Sequence, residues 1–271
     1  MRIIRVFPRK TKASPCDDLV RIGKGPDLFD EADQVHISVA FTWDLPKAEK
    51  LAREWSVVAP VKMGGPALNE KGGDFVPGMY LKPGYVITSR GCPNRCWFCS
   101  VPKREGGEIR ELPITEGKNV LDDNLLACSD GHIKGVFTML ARQKDPIEFT
   151  GGLEAARLKR WHAEELKKFR IKQMFFAYDT PDDLEPLQQA GRYLQEVGFA
   201  VHPHSHALRC FVLCGYQGDS VGHAEYRMKK TMQAGFTPMA MLWRDETGRR
   251  DLEWAKFQRE WARPAIIYSR L

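Results

Sequence analysis

From Tyr85 onward the chain repeats a single alternation of apolar run and helical periodicity, which restricts it to a parallel-sheet architecture. Runs that read as strands stand at 85–89 (YVITS), 119–122 (NVLD), 146–150 (PIEFT), 172–178 (KQMFFAY), 208–214 (LRCFVLC) and 238–243 (PMAMLW). Six such units imply a partly closed (β/α)6 barrel of TIM type more than an open Rossmann sheet. The best-marked helix spans 181–197: Thr180 is its N-cap, Pro181 takes the first helical position, Asp183 completes a capping box, and Gly198 stands past its end. A second helix is expected over about 220–234, stopping at Gly235. A third carries the i, i+3, i+7 stripe Trp254, Phe257, Trp261 before Pro264, read first as a packing face.

Upstream, VHISVAF (35–41) reads as a strand, Asp44 and Pro46 open a helix over KAEKLAREW, and a second strand follows at 57–63. This β-α-β unit closes at Gly64-Gly65-Pro66. The Gly- and Pro-rich stretch after it carries no periodicity and reads as a linker or a loop laid over a neighbouring domain. The expected organisation is a small N-terminal α/β unit over 1–66, a linker over 67–84, a barrel over 85–245, and a C-terminal helix in 246–271.

The first barrel strand runs into TSRGCPNRCWFCSVPKREGG, so Cys92, Cys96 and Cys99 form a C-x3-C-x2-C pattern within one loop. Three thiolates this close in sequence can hold three corners of an iron–sulfur cube and leave the fourth iron without a protein ligand. A structural zinc site would require a fourth Cys or His nearby, and the next cysteine, Cys128, follows a separate strand. The chain has seven cysteines in all, an odd number, which reads as ligands or small core residues rather than a disulfide framework. Cys210 and Cys214 share one face of a strand and are expected as buried core.

With its aromatic Phe98 just before the last cysteine, this motif resembles that of the radical S-adenosylmethionine enzymes over roughly residues 85–245. The resemblance implies a [4Fe–4S] cluster on Cys92, Cys96 and Cys99 whose unique iron chelates the amino and carboxylate groups of S-adenosylmethionine. One-electron cleavage would then yield a 5′-deoxyadenosyl radical that abstracts a substrate hydrogen. It also implies a place for several other residues. Phe98 would lie beside the adenine. The family's amino-group motif, often Gly-Gly-Glu, maps onto Asp122, Asp123 and Asn124 without its glycines. If the strand count is off by one, it maps onto Gly151, Gly152 and Glu154 instead. Asp179 matches the ribose position, and Arg209 and Arg244 are candidates for the carboxylate or an anionic substrate. A reducing partner such as flavodoxin or ferredoxin would supply the electron.

Several of these families place a cobalamin-binding domain before the barrel, and residues 35–67 look like a shortened version. No Asp-x-His-x-x-Gly signature is present, so cobalamin stays open without support. With Cys16 alone in that region, methylthiolation is disfavoured.

A formal charge of +6, from 41 Lys plus Arg against 35 Asp plus Glu, leans weakly towards a nucleotide or nucleic-acid substrate. The segment from Lys103 to Gly107 reads as a mobile mixed-charge loop. His202, His204 and His206 alternate before the fifth strand and form a minor candidate site. No apolar run approaches a membrane span and the start lacks the apolar core of a signal peptide, so a cytoplasmic enzyme is expected. The rival from another class is a non-catalytic iron–sulfur or zinc module that binds nucleic acid.

Overall fold

A computed structural model describes residues 1–200, 207–244, 251–262 and Ile267. The molecule is α/β, with parallel strands in its two larger sheets. It divides into two compact units, residues 1–85 with 91–108, and residues 86–90 with 109–271. His202, His204, His206 and Pro264 lie outside the described residues.

The first unit contains β1 (Ile3–Phe7), β2 (Val20–Ile22), β3 (Gln34–Ser38), helix α1 (Leu45–Trp55) and β4 (Val61–Gly64). The expected β3-α1-β4 unit is present, and two further strands extend it to a parallel sheet ordered β2-β1-β3-β4. Alternate residues of β3 and most of β1 enter the core, where Ile4, Val6, Val35 and Ile37 pack with Ala48, Leu51 and Trp55 of α1. The i, i+3, i+7 spacing of those three helical residues is the stripe that docks α1 on the sheet. Asp44 sits at the N-cap of α1 without capping it. Both of its carboxylate oxygens are instead taken by one edge of the Arg9 guanidinium, Nε–H and Nη2–H, a charge-assisted fork stronger than one backbone cap.

β1 escaped the sequence reading because Arg5 interrupts its apolar run. The side chain is nonetheless buried: its guanidinium binds Asp17 and donates to the carbonyls of Gly78 and Met79, at 2.9 and 3.0 Å. His36 Nδ1 meets the Tyr80 hydroxyl at 2.6 Å, and Lys82 N–H donates to Ala13 O. The Gly/Pro-rich stretch is therefore fastened along the first unit through its backbone carbonyls, which no hydropathy pattern records.

The second unit is built on a six-stranded sheet, ordered β12-β11-β10-β9-β8-β5. In chain order its elements are β5 (Tyr85–Val86), β6 (Ser89–Arg90), β7 (Arg110–Glu111), β8 (Asn119–Val120), α3 (Asp130–Ala141), β9 (Ile147–Phe149), α4 (Arg160–Lys167), β10 (Ile171–Ala177), α5 (Leu184–Glu196), β11 (Leu208–Cys214), α6 (Val221–Gln233), β12 (Thr237–Leu242) and α7 (Leu252–Trp261). A short helix α2 (Val101–Glu105) lies in the first unit's 91–108 segment. All six expected strands of the main sheet are found. Each lies beside the preceding one, so the sheet has no point at which strand order reverses.

β5 and β8 are short for a physical reason. Past Val86 the ladder is taken over by side chains: Thr88 N–H donates to the Asp122 carboxylate rather than to a strand carbonyl, and Thr88 O accepts from Leu112 N–H. β6 then pairs with β7 as a two-stranded antiparallel ribbon. One face of β10–β12 is fully buried by Met174, Phe176, Cys210, Val212 and Ala240, with Phe176 packed on Phe236 past the end of α6. The other face is more open: Phe175 and Phe211 stack with centroids 4.3 Å apart, and Met241 is 41% exposed.

The capping box of Thr180 and Asp183 forms as expected, heading a 3-10 turn that leads into α5. Ser220 caps α6 through His223 N–H. Phe257 and Trp261 of α7 are buried, the packing role read from their spacing.

Replacing Arg5 with Met should remove the side chain that ties Gly78 and Met79 to β1. The expected loss is about 2 kcal/mol of unfolding free energy in a urea titration, with faster proteolysis within 72–82. An unchanged midpoint and cleavage rate would show that the segment is held some other way.

Candidate functional site

Within the first unit, the cysteine segment begins at Gly91, whose φ is +90° and whose added Cβ would lie 2.1 Å from Glu108 O. The two ends of the 91–108 loop thus meet backbone to backbone, which only glycine permits. Cys92, Cys96 and Cys99 are all half-buried along this loop, with a turn in which Cys99 N–H donates to Cys96 O at 3.1 Å. Trp97 is 57% exposed and meets Phe98 edge to face at 5.4 Å. The segment from Lys103 was expected to be a mobile loop and is instead partly the helix α2. The reason is Glu105: its buried carboxylate accepts Gly72 N–H and the Arg104 Nε–H, anchoring the turn from inside.

Burial sorts the seven cysteines by chemistry. It pushes the Cys128 and Cys214 thiols up to about 12, and the Cys210 thiol well above its ordinary value, so these three are protonated core residues. Cys16 is exposed on its own. The remaining three share one loop. Among the described residues, no three His, Cys, Asp or Glu side chains converge as a site for one metal ion. Thiolates that hold a cube each bind a separate iron and need not converge on a point, and three soft donors on one pinched loop suit that chemistry.

Within the second unit, taken by itself, the C-terminal ends of β8, β9 and β10 carry most of the other expected residues. Asp122 is buried, and its oxygens accept from Thr88 N–H and Oγ1–H, both at 2.6 Å, and from Ser89 Oγ–H at 2.8 Å. Burial raises its pKa while those donors oppose the rise. These bonds engage both oxygens, so Asp122 organises the chain rather than waiting for a ligand. Asp123 is half-buried beside it.

Asn124 and Glu154 were expected as alternatives, one after each of two strands. The structure brings them together: Asn124 Nδ2–H donates to Glu154 Oε2 at 2.6 Å, and Arg157 Nε–H donates to the same oxygen at 2.6 Å. Gly151 makes this possible. An added Cβ there would lie 2.3 Å from Asp122 O, so the turn after β9 can press against the end of β8 only without a side chain. Gly152 follows with φ +98°.

Asp179, just after β10, accepts Leu213 N–H at 3.0 Å through Oδ1. Burial pushes its carboxyl up to about 7; the Leu213 N–H and the Arg227 guanidinium oppose the rise and the nearby Asp183 carboxylate adds to it. Arg227 was missed by the sequence reading. It is buried, bound by Asp219, and donates to Leu213 O, so it fixes the same backbone that Asp179 reads. Its place mid-helix among polar neighbours gave no signal.

Two further expected residues stand apart from this polar cluster. Arg209 lies at the N-terminal end of β11, its guanidinium 5.5 Å from the Phe175 ring centroid and Nη2 3.5 Å from Met239 Sδ. It packs across the open sheet face. Arg244 is exposed, two residues past β12. Phe98 belongs with the cysteine loop in the first unit.

The raised Asp179 pKa has a definite sign. The folded state holds that proton up to about pH 7 and the unfolded state releases it near 3.8, so this group lowers stability as pH rises between those values. The wild type should lose about 1.4 kcal/mol per pH unit more than Asp179→Asn through that window, read by urea unfolding at pH 4.5, 5.5, 6.5 and 7.5. Parallel pH profiles for the two proteins would contradict the burial of this carboxyl.

No helix among the described residues is long and apolar enough to cross a membrane. No family model matches the chain, and no curated protein matches it.

Proposed function

We propose that the chain is a radical S-adenosylmethionine enzyme with a [4Fe–4S] cluster on Cys92, Cys96 and Cys99. The observation that carries this reading is the C-x3-C-x2-C triplet set on a loop pinched at Gly91, while the three buried cysteines are chemically silenced. The finer architecture belongs to the same proposal: a partial (β/α)6 barrel, its strands in chain order and its more open sheet face turned to the lumen. When bound, the cluster supplies the electron that cleaves S-adenosylmethionine to methionine and a 5′-deoxyadenosyl radical, which takes a hydrogen atom from the substrate.

The chain's own residues bind and orient. Glu154, steadied by Asn124 and Arg157, presents a carboxylate suited to the ammonium of the methionine moiety. Asp179, with Oδ1 held by Leu213, offers its other oxygen to ribose hydroxyls. Arg244 suits a carboxylate, and Phe98 an adenine face. Asp122 holds Thr88 and Ser89, immediately before the cysteine loop in the chain, and is a positioning residue. The substrate class leans to a nucleotide or nucleic acid on charge alone, and a flavodoxin- or ferredoxin-like donor completes the system.

The test is anaerobic reconstitution, reduction with dithionite, addition of S-adenosylmethionine and assay of 5′-deoxyadenosine. Wild-type protein should form it, and the Cys92→Ala, Cys96→Ala, Cys99→Ala triple variant should fall to background. Glu154→Gln should raise the KM for S-adenosylmethionine about tenfold, the loss of one charge-assisted contact. Zinc at one per chain, or product formation indifferent to the cysteines, would overturn the reading in favour of a non-catalytic module.

A further inference from the structure

At the opposite edge of the second unit, by the N-terminal ends of β9 and β10, the structure has a cleft of about 470 Å³ between α3 and α4. This volume lies within the range of small-molecule sites. Its floor is apolar and buried, with Leu140 and Ile147, and its walls are aromatic. Phe137 meets Trp161 at 6.2 Å and Phe169 at 5.7 Å, both edge to face, while Trp161 and Phe169 themselves stay half-exposed. Lys134 Nζ stands 5.4 Å from the Trp161 centroid.

The rim is cationic on balance, with Lys134, Lys144, Lys168 and Arg170 against Asp145 and Glu165, and Asp145 lies within electrostatic reach of Arg170. The two carboxylates that reach it, Asp145 and Glu165, are engaged by Lys118 and Lys168. Lys134, Lys144 and Arg170 have no salt bridge among the described residues. Arg170 is held in place by donating from Nη2 to Lys144 O at 3.1 Å, and Ile147 N–H ties β9 to Arg170 O at 2.9 Å. The Arg170 guanidinium is thus fixed against the Lys144 backbone beside a half-exposed aromatic wall.

We propose that this cleft binds a nucleoside phosphate. An aromatic base satisfies the Trp161–Phe169 wall through stacking, and a phosphate group pairs with Lys144 and Arg170 on the net-cationic rim. Neither half alone uses the whole site: a bare anion gains nothing from the aromatic wall, and an apolar ligand gains nothing from the cations. The site lies at the strand edge away from Glu154 and Asp179, so it is distinct from the proposed reaction and does not depend on it.

The experiment is calorimetric titration of the full chain with ATP, inorganic phosphate and adenosine in separate runs. ATP should bind, and phosphate and adenosine should each bind at least tenfold more weakly. The exposed charge reversals Lys144→Glu and Arg170→Glu together should weaken ATP at least tenfold without moving the thermal midpoint, and Trp161→Ala should weaken ATP but not phosphate. Absence of ATP binding at millimolar concentration would overturn the proposal. So would affinity unchanged by the double reversal, or phosphate binding as tightly as ATP.

Discussion

One buried carboxyl group organises the stretch of chain that leads into the cysteine loop. Asp122 draws in Thr88 and Ser89 through three hydrogen bonds, and Gly91 and the first cysteine follow immediately in sequence. Those bonds end the β5 ladder and turn the chain into the ribbon of β6 and β7, from which the 91–109 stretch departs and to which it returns. A carboxyl group buried this deeply is tolerated because donors meet both of its oxygens, which favours the arrangement of the turn that keeps them in place. On the next strand Gly151 presses against the backbone of the same residue, and through it Glu154 reaches Asn124. Within the second unit the end of β8 thus fixes both the Thr88–Ser89 segment and the polar cluster after β9.

Much of this architecture is written in periodicity. Six apolar runs gave six strands in chain order, and the signals at Thr180, Pro181, Asp183 and Gly198 marked a real helical segment, because capping and burial are local and repeat at fixed spacing. What escaped depends on single long-range polar contacts. Arg5 hid β1 by placing a charge where the pattern wanted an apolar residue, yet that charge is satisfied by carbonyls more than seventy residues away. Glu105 turned an expected loop into a helix by the same means. At the candidate site, glycine and carboxylate positions were legible as residue types. Whether Asp122 or Glu154 is the open carboxylate was not, because that depends on which donors converge in space.

The cysteines make the complementary point. Spacing separated Cys92, Cys96 and Cys99 from the rest, and burial gives the separation a chemical meaning: the strand and loop thiols of the second unit, Cys128, Cys210 and Cys214, are buried and held protonated by desolvation. Arg209 teaches the opposite lesson. Residue type and strand membership suggested a ligand, but its place at the start of β11 puts it at the wrong end of a parallel strand, where side chains pack rather than react.

The central claim is that three thiolates hold a cluster with one iron open to S-adenosylmethionine. Its most direct test is electron paramagnetic resonance of the anaerobically reconstituted, reduced chain before and after S-adenosylmethionine is added. The account predicts the spectrum of a reduced four-iron cluster, with four irons per chain, that changes on addition. A four-iron spectrum indifferent to S-adenosylmethionine, or protein that takes up zinc and no iron, would contradict it.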